Sequence, residues 1–136
     1  MIIDTMIFAY ALLRVENKYE ESTTILEQAS QIIVPDSFRA ELANVVWQWV
    51  KFKSVPEELA YSVLQDVETL LDQVVSSERI WTRALQLSIA FEHPVYDTLY
   101  VATAESFDDK VITYDQKMIA KFPERVLSPQ AFLCSD

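Results

Sequence analysis

Carboxylates are the most abundant reactive side chains in this sequence. Aspartate and glutamate together number 21 against 11 lysines and arginines, which gives a formal net charge of −10. The chain has one histidine, one cysteine and no glycine. Phosphate-binding loops need glycine where the backbone approaches the phosphate, and structural zinc sites need several cysteines or histidines. The composition therefore favours the binding of a hard divalent cation by carboxylate oxygens.

Four of the acids stand where predicted strands end or predicted helices begin. Asp4 ends the first strand, and Asp115 follows the fourth. Glu41 lies in the first turns of the helix after the second strand, and Asp97 opens the helix after a predicted break at residues 93–94. Sites in open parallel sheets form at the carboxyl ends of the strands, so these acids are placed to share one edge. Position alone does not separate them from other acids near helix starts, which serve equally well as caps.

The single histidine and cysteine add little chemistry by themselves. His93 precedes Pro94 at the predicted helix break, where a structural or solvent-facing role is expected. One imidazole is also a poor basis for Ser-His-Asp or Cys-His catalysis. Cys134 has no second cysteine to pair with, which agrees with a cytoplasmic protein. No apolar run approaches the roughly 20 residues that cross a bilayer, and the apolar N-terminal stretch lacks the basic segment of an export signal.

Short apolar strands alternate with longer helices along the chain. Runs of β-branched residues predict buried strands, and apolar residues at helical spacing predict helices. Asp36 or Ser37 is predicted to cap one helix and Ser77 another. The predicted strands are residues 1–3, 32–34, 74–75, 110–113 and 123–127, and the predicted helices are 6–14, 17–29, 37–52, 56–71, 78–92, 95–106 and 115–121.

This alternation predicts an α/β fold. Strands that are apolar throughout belong in a parallel sheet covered on both faces, which gives a three-layer α/β/α sandwich with four or five central strands. No repeat, low-complexity segment or change of composition divides the chain. A single domain over residues 1–136 is therefore expected.

Four segments stand in the order and spacing of a known family. They are IIDT at residues 2–5, VPDSFRAELAN at 34–44, VYDTLYVATA at 95–104 and VITYD at 111–115. On these segments the chain resembles the PIN domain, and in particular the VapC-type toxin ribonucleases of type II toxin–antitoxin systems. The resemblance covers nearly the whole chain, and the last two segments are its most specific part.

The resemblance implies a PIN-like fold and a metal-dependent endoribonuclease that hydrolyses RNA phosphodiester bonds. In the family's pattern, Asp4, Glu41 and Asp97 gather one or two Mg²⁺ or Mn²⁺ ions. Asp115 takes the place of the fourth family acid, which holds a second ion or a water. Hard oxygen ligands suit these cations, which stabilise charge on a phosphate and activate water.

Two threonines match supporting positions of the same pattern. Thr113 corresponds to a family hydroxyl near the metal pocket, and Thr5 is expected to hydrogen-bond beside Asp4. Both rank below the acids, because a threonine at a strand end is often structural.

The resemblance also implies two protein partners, a second copy of the chain in a homodimer and a small antitoxin protein. A basic antitoxin would suit the net charge of −10. Residues 7–13 and 45–50 are apolar on more than one side of their predicted helices. Burial within the monomer and burial in an interface both explain such helices, and both remain open.

The acidity of the chain conflicts with a general affinity for RNA. Nucleic-acid binders usually present a positive surface, and even two bound divalent cations leave this chain strongly negative. Contact with RNA is therefore expected from the metals and from a local basic patch. The candidate residues for that patch are Arg14, Arg39, Lys117 and Lys121.

Two other functions remain open at the level of sequence. One is a catalytically weak or inactive PIN-like scaffold that binds a protein partner, because Met6 stands where the family commonly has a polar residue. The other is a phosphate-accepting receiver-like domain, which is also an α/β fold with clustered acids. The paired early acids and late lysine of a receiver are not visible in the sequence.

Overall fold

Strands and helices alternate through the chain as the sequence predicts. A computed structural model describes residues 1–134. None of the helices in that range has both the length and the apolar character needed to span a membrane. The described elements are β1 (Ile2–Ile3), α1 (Thr5–Leu12), α2 (Tyr19–Gln28), β2 (Ile33–Pro35), α3 (Ser37–Lys53), α4 (Glu57–Glu68), β3 (Gln73–Val75), α5 (Ser77–Phe91), α6 (Val95–Phe107), β4 (Val111–Ile112), α7 (Gln116–Lys121), β5 (Val126–Leu127) and α8 (Pro129–Cys134).

The strands form one parallel sheet in the order β3-β2-β1-β4-β5. In the centre, Ile2 lies opposite Ile33 on one side and Val111 on the other. The predicted α/β/α class is confirmed, with five strands. The order 2-1-3-4-5, which a receiver-like fold requires, is not the order of this sheet, so that alternative is wrong.

Alternation along each strand separates two hydrophobic layers. Ile2 and Val111 face a cluster built from α5, α6 and α7, whereas Ile3 and Ile112 face a cluster built from α1 to α4. Successive side chains of a strand point to opposite faces, which explains why neighbours in sequence enter different cores. Complete burial of an isoleucine side chain stabilises a fold by about 1.5–3 kcal/mol, so even two-residue strands are held firmly.

From the neighbouring strands β1 and β4, the chain extends the sheet toward its two opposite edges. The chain runs from β1 through β2 to β3 on one side, and then crosses back to β4 and β5 on the other. Such a reversal opens a crevice at the carboxyl ends of the two central strands. Asp4 directly follows β1, and Thr113 directly follows β4, so both lie at this crevice.

The predicted caps of α3 and α5 are wrong. Ser37 and Ser77 are the first residues inside these helices, and Ser76 holds the cap position of α5 without a capping hydrogen bond. Asp36 precedes α3 but makes no capping hydrogen bond to that helix. Its carboxylate instead accepts hydrogen bonds from the backbone nitrogen of Ser77, at 3.0 Å, and from the Ser77 hydroxyl. Asp36 therefore satisfies the start of α5, a helix 41 residues further along the chain. Residues 129–134, which form α8, were not predicted as a helix.

Three helices end at a residue that adopts the left-handed backbone conformation although it is not glycine. Ser54, Glu92 and Asp108 terminate α3, α5 and α6 with φ angles of 57°, 52° and 48°. A left-handed residue with a Cβ costs roughly 1–2 kcal/mol. At Glu92 this conformation turns the chain from α5 into residues 93–94 and then into α6, whose first turn carries Asp97.

Candidate active site

All four predicted acids line one open pocket of about 450 Å³ at the carboxyl edge of the sheet. Asp4 and Glu41 reach it from the α1–α4 layer, and we call this side the hydroxyl end. Asp97 and Asp115 reach it from the α5–α7 layer, and we call this side the histidine end. The other lining residues are Thr5, Met6, Asn44, Val45 and Tyr114. The fold thus brings together acids that are up to 111 positions apart in the sequence.

Asp4 is held by hydrogen bonds to both of its carboxylate oxygens. The backbone nitrogen of Thr5 donates to Oδ1 at 2.8 Å, and the buried hydroxyl of Thr113 donates to Oδ2 at 2.6 Å. The same Thr113 oxygen accepts a hydrogen bond from the backbone nitrogen of Asp115 at 3.0 Å. Burial raises the pKa of Asp4, although the two hydrogen bonds oppose this effect. Thr5 and Thr113 therefore lie where the sequence predicts supporting residues.

Glu41 has one bonded oxygen and one unbonded oxygen. The hydroxyl oxygens of Thr5 and Tyr100 both lie within hydrogen-bond distance of Oε2, at 3.2 Å and 3.3 Å. They also lie 2.8 Å from each other, and because the pair has two protons for three contacts, one hydroxyl donates to the other while its partner donates to Oε2. The second oxygen, Oε1, is buried and makes no hydrogen bond of good geometry among residues 1–134, although the Ser37 hydroxyl is close enough to Glu41 to lower its pKa. Burial, followed by the charge of Asp4, raises the pKa of Glu41 to about 7.

Asp97 is bonded to the chain's single histidine. His93 Nε2 lies 2.8 Å from Asp97 Oδ2, and the two residues are one helical turn apart in sequence. Burial raises the pKa of Asp97, the hydrogen bond from His93 lowers it, and the charge of Asp115 raises it again. His93 is buried against a site acid and does not face solvent.

Asp115 caps helix α7 and also lines the pocket. Its Oδ1 accepts hydrogen bonds from the backbone nitrogens of Lys117 at 2.9 Å and Met118 at 3.2 Å, at the start of α7. One ligand atom from each of Asp115, Asp97 and His93 lies within 4.8 Å of the other two. The residue is therefore a structural cap whose carboxylate also adds charge to the histidine end.

The electrostatics of the pocket suit a divalent cation. Asp4, Glu41 and Asp97 all have raised pKa values, because burial and mutual repulsion disfavour their charged forms. The unbonded Glu41 Oε1 adds the cost of a buried acceptor without a partner, about 1–3 kcal/mol. A cation among these oxygens would relieve both penalties, and carboxylates are the donors that hard divalent ions prefer.

Two residues of this network were not predicted from the sequence. Tyr100 is buried and lies three positions after Asp97 on α6, and it bonds the carboxylate of Glu41 from the opposite layer. His93 lies four positions before Asp97. The spacing of three residues places Tyr100 on the same face of α6 as Asp97, so helical periodicity was an available signal for Tyr100. His93 precedes the helix, and no periodic pattern indicates its contact with Asp97.

The four predicted RNA-contacting residues do not line the acidic pocket. Lys117 is exposed beside Asp115 at the start of α7. Lys121 donates to the backbone oxygen of Glu92 at 2.8 Å. The other two lie elsewhere: Arg39 is paired with Glu68 through two hydrogen bonds of 2.6 Å and 2.9 Å, and Arg14 lies over the ring of Tyr19.

Comparison with known proteins identifies similar sequences and folds. The sequence model of the PIN domain matches residues 1–124. Ribonuclease VapC3 from Pyrobaculum aerophilum is 27% identical over 128 residues, which cover 93% of this chain and 97% of that protein.

Two solved structures share the fold. A chain of a toxin–antitoxin complex from Klebsiella pneumoniae superposes with a TM-score of 0.67 at 22% identity, covering 94% of this chain and 96% of its own length. A chain of VapBC2 from Rickettsia felis, bound to a DNA fragment from its promoter, gives a TM-score of 0.68 at 19% identity, with coverage of 93% and 96%. At these identities the likeness concerns the fold.

Proposed function

The chain belongs to the PIN domain family, and from this premise we propose that it is a metal-dependent endoribonuclease, the toxin of a toxin–antitoxin pair. The relative from Pyrobaculum aerophilum is named as a ribonuclease and matches over nearly its whole length. The observation that carries the proposal is the pocket in which Asp4, Glu41, Asp97 and Asp115 meet. We take residues 1–136 as one domain that acts in the cytoplasm.

The four acids would hold one or two Mg²⁺ or Mn²⁺ ions. When bound, such ions stabilise negative charge on a phosphodiester and provide an activated water. Thr5 and Thr113 already orient the Asp4 carboxylate, so this side chain loses little conformational freedom when an ion binds. Glu41 presents Oε1, the one buried carboxylate oxygen without a partner among the described residues.

RNA would approach over the open side of the pocket, where Lys117 lies two residues after the pocket acid Asp115. The side chain of Lys117 is exposed and makes no ion pair within residues 1–134. Arg39 is engaged by Glu68, and Lys121 by a backbone carbonyl, so each would have to leave a partner to contact RNA. With a net charge of −10, the rest of the surface repels RNA and limits unspecific binding.

Exposed apolar side chains support two protein partners, a second copy of the chain and an antitoxin. Trp81, Leu85 and Ile89 are 56%, 52% and 73% exposed and recur every four residues on α5, so they form one stripe. In the C-terminal half of α3, Trp47 and Phe52 are also exposed. Apolar surface of this kind marks protein interfaces. By contrast, most of the apolar side chains of α1 are buried within the protein.

The proposal is tested by RNA cleavage in Mg²⁺, in Mn²⁺ and in EDTA. Asp4→Asn and Asp97→Asn should each lower cleavage by at least about 100-fold while the circular dichroism spectrum is unchanged. The matched control is Asp66→Asn, which makes the same change of charge at an exposed position of α4. Cleavage that survives EDTA or both site variants would overturn the proposal.

The same experiment tests the scaffold alternative. Met6 lines the pocket beside Thr5 and makes that wall apolar, which favours a site that binds without efficient catalysis. A scaffold would show a metal-dependent rise in melting temperature and no cleavage of any RNA tested. A melting temperature unaffected by millimolar Mg²⁺ and Mn²⁺ would count against an intact metal site.

A further inference from the structure

His93 is fixed at the turn between α5 and α6. Glu92 adopts a left-handed conformation, and its carbonyl accepts a hydrogen bond from Lys121. Pro94 then starts the next helix. The His93 side chain is only 4% exposed, and its ring packs edge-on against Phe122 with a centroid separation of 5.7 Å. The imidazole is therefore held in one orientation before any ligand binds.

This orientation directs Nε2 to Asp97, so that His93 lies directly behind an acid of the pocket without lining the pocket itself. Nε2 lies 2.8 Å from Asp97 Oδ2, and donor atoms of His93, Asp97 and Asp115 lie within 4.8 Å of one another. Two ligands about 2.1 Å from one ion and at right angles to each other are about 3 Å apart. The spacing of His93 and Asp97 thus matches that of adjacent ligands on one cation.

We propose that His93 Nε2 joins Asp97 and Asp115 in a mixed nitrogen–oxygen donor set that binds a first-row transition-metal dication, giving this end of the pocket a preference for Mn²⁺ over Mg²⁺. The proposal rests on the metal-dependent function proposed above and adds a ligand to it. Imidazole binds transition metals well, whereas Mg²⁺ is bound mainly by oxygen. Asp4 and Glu41 supply oxygen alone, so the preference belongs to the histidine end.

Ligation requires one rearrangement of a proton within the ring. When Nε2 carries the proton, it donates to Asp97 Oδ2. When the proton is on Nδ1, the ring is still neutral and Nε2 has a lone pair for the ion. Asp97 then binds the same ion instead of the imidazole proton, so no buried acceptor loses its partner.

A spectroscopic experiment tests the ligand directly. The chain contains one histidine, so an untagged protein loaded with Mn²⁺ has one imidazole to detect. Electron spin echo envelope modulation should show the coupling of a directly bound ¹⁴N, and the signal should vanish in His93→Gln. Absence of nitrogen coupling in the Mn²⁺-loaded wild type, or failure of Mn²⁺ to bind, would overturn the proposal.

Calorimetric titration separates ligation from positioning. Glutamine keeps an N–H donor near Asp97 but has no imidazole lone pair. His93→Gln should weaken Mn²⁺ binding by at least about tenfold, the lower limit of what partners of metal ligands contribute, and leave Mg²⁺ binding within about twofold. An equal loss of both affinities would show that His93 only positions Asp97, and unchanged affinities would show that it does neither.

These outcomes are independent of catalysis. Nitrogen coupling and selective loss of Mn²⁺ in a protein that cleaves no RNA would support the inference and refute the nuclease. RNA cleavage in which the wild type and His93→Gln both use Mg²⁺ and Mn²⁺ equally well would support the nuclease and refute the inference about His93. Gln86→Ala, an exposed substitution on α5, controls for a general effect of changing that helix.

Discussion

The two ends of the pocket hold their acids by different means. At the hydroxyl end, Thr113, Thr5 and Tyr100 bond to Asp4 and Glu41, and every side-chain donor is a neutral hydroxyl. At the histidine end, an imidazole bonds to one acid and backbone amides at a helix start bond to the other. The acids of each end come from one helical layer, but Tyr100 on α6 crosses from the opposite layer to reach Glu41 at the hydroxyl end.

The difference shows how charge is distributed in the pocket. At the hydroxyl end, hydrogen bonds from neutral hydroxyls only partly oppose the effects of burial and of the Asp4 charge, and the pKa of Glu41 rises to about 7. At the histidine end, the hydrogen bond from His93 opposes the rise in the pKa of Asp97. A bound cation should therefore stabilise the hydroxyl end more than the histidine end. Substitutions at the hydroxyl end should have the larger effects on metal affinity and on stability.

The largest effect is expected from Glu41→Gln, which removes the carboxylate with the unbonded oxygen. Metal affinity should fall by about 100-fold, since a direct ligand is lost, while stability in EDTA should rise at pH 7.5. Isothermal calorimetry and urea unfolding measure the two quantities. Glu27→Gln, an exposed change on α2, is the matched control and should alter neither.

The pH dependence of the metal-free protein has a definite sign. An acid whose pKa is higher in the folded chain stabilises the fold below its ordinary pKa, and this contribution is lost as pH rises through the folded value. For Glu41 these limits are 4.5 and about 7. In EDTA, the free energy of unfolding should therefore fall between pH 4.5 and 7 in the wild type and fall less in Glu41→Gln. An identical decline in both proteins would contradict the comparison of the two ends.

Thr113→Val should have the next largest effect, because this hydroxyl connects the two ends. It donates to Asp4 Oδ2 and accepts from the Asp115 nitrogen, and both bonds are lost in an isosteric side chain. The free energy of unfolding should fall by about 1–3 kcal/mol, and metal affinity by about tenfold. Thr103→Val removes a buried hydroxyl that bonds only a helix carbonyl, and it should leave metal affinity unchanged.

Tyr100→Phe should have a smaller effect on the same end. The Thr5 hydroxyl stays within hydrogen-bond distance of Glu41 Oε2, so the carboxylate loses at most one hydrogen bond. A single hydrogen bond of roughly 0.6 kcal/mol corresponds to about a threefold loss of metal affinity. The control is Tyr61→Phe, which removes an exposed hydroxyl bonded to Glu57. A loss as large as that of Glu41→Gln would mean that Tyr100 does more than orient this acid.

Lys117→Ala should have the smallest effect and should leave metal binding unchanged. This residue lies at the open histidine end and would contact a phosphate, so RNA binding should weaken a few-fold. The slope of log affinity against log salt should decrease by about 0.7, the value for one phosphate contact on a single strand. Filter binding to catalytically inactive Asp4→Asn protein measures this slope. Lys53→Ala, at the end of α3, should leave the slope unchanged; an unchanged slope in Lys117→Ala would remove this residue from the RNA interface.

The sequence by itself determined the fold class and the type of chemistry. Short apolar, β-branched runs located the five strands, and helical spacing of apolar residues located seven of the helices, because both are local properties of the chain. The lack of glycine and the scarcity of histidine and cysteine left carboxylates as the available ligands. Strand ends placed Asp4 and Asp115 at one edge, and the family resemblance selected Glu41 and Asp97, which all line the pocket.

Only the tertiary structure decided which donor each acid receives. Thr113 reaches Asp4 across 109 positions, Tyr100 reaches Glu41 across 59, and Asp36 caps α5 instead of α3. Of the two roles expected for His93, the solvent-facing one is wrong, because the turn at Glu92 buries it against Asp97. Such contacts depend on how two helical layers meet across a sheet, and hydrogen bonds between distant residues leave no periodic signal in the sequence.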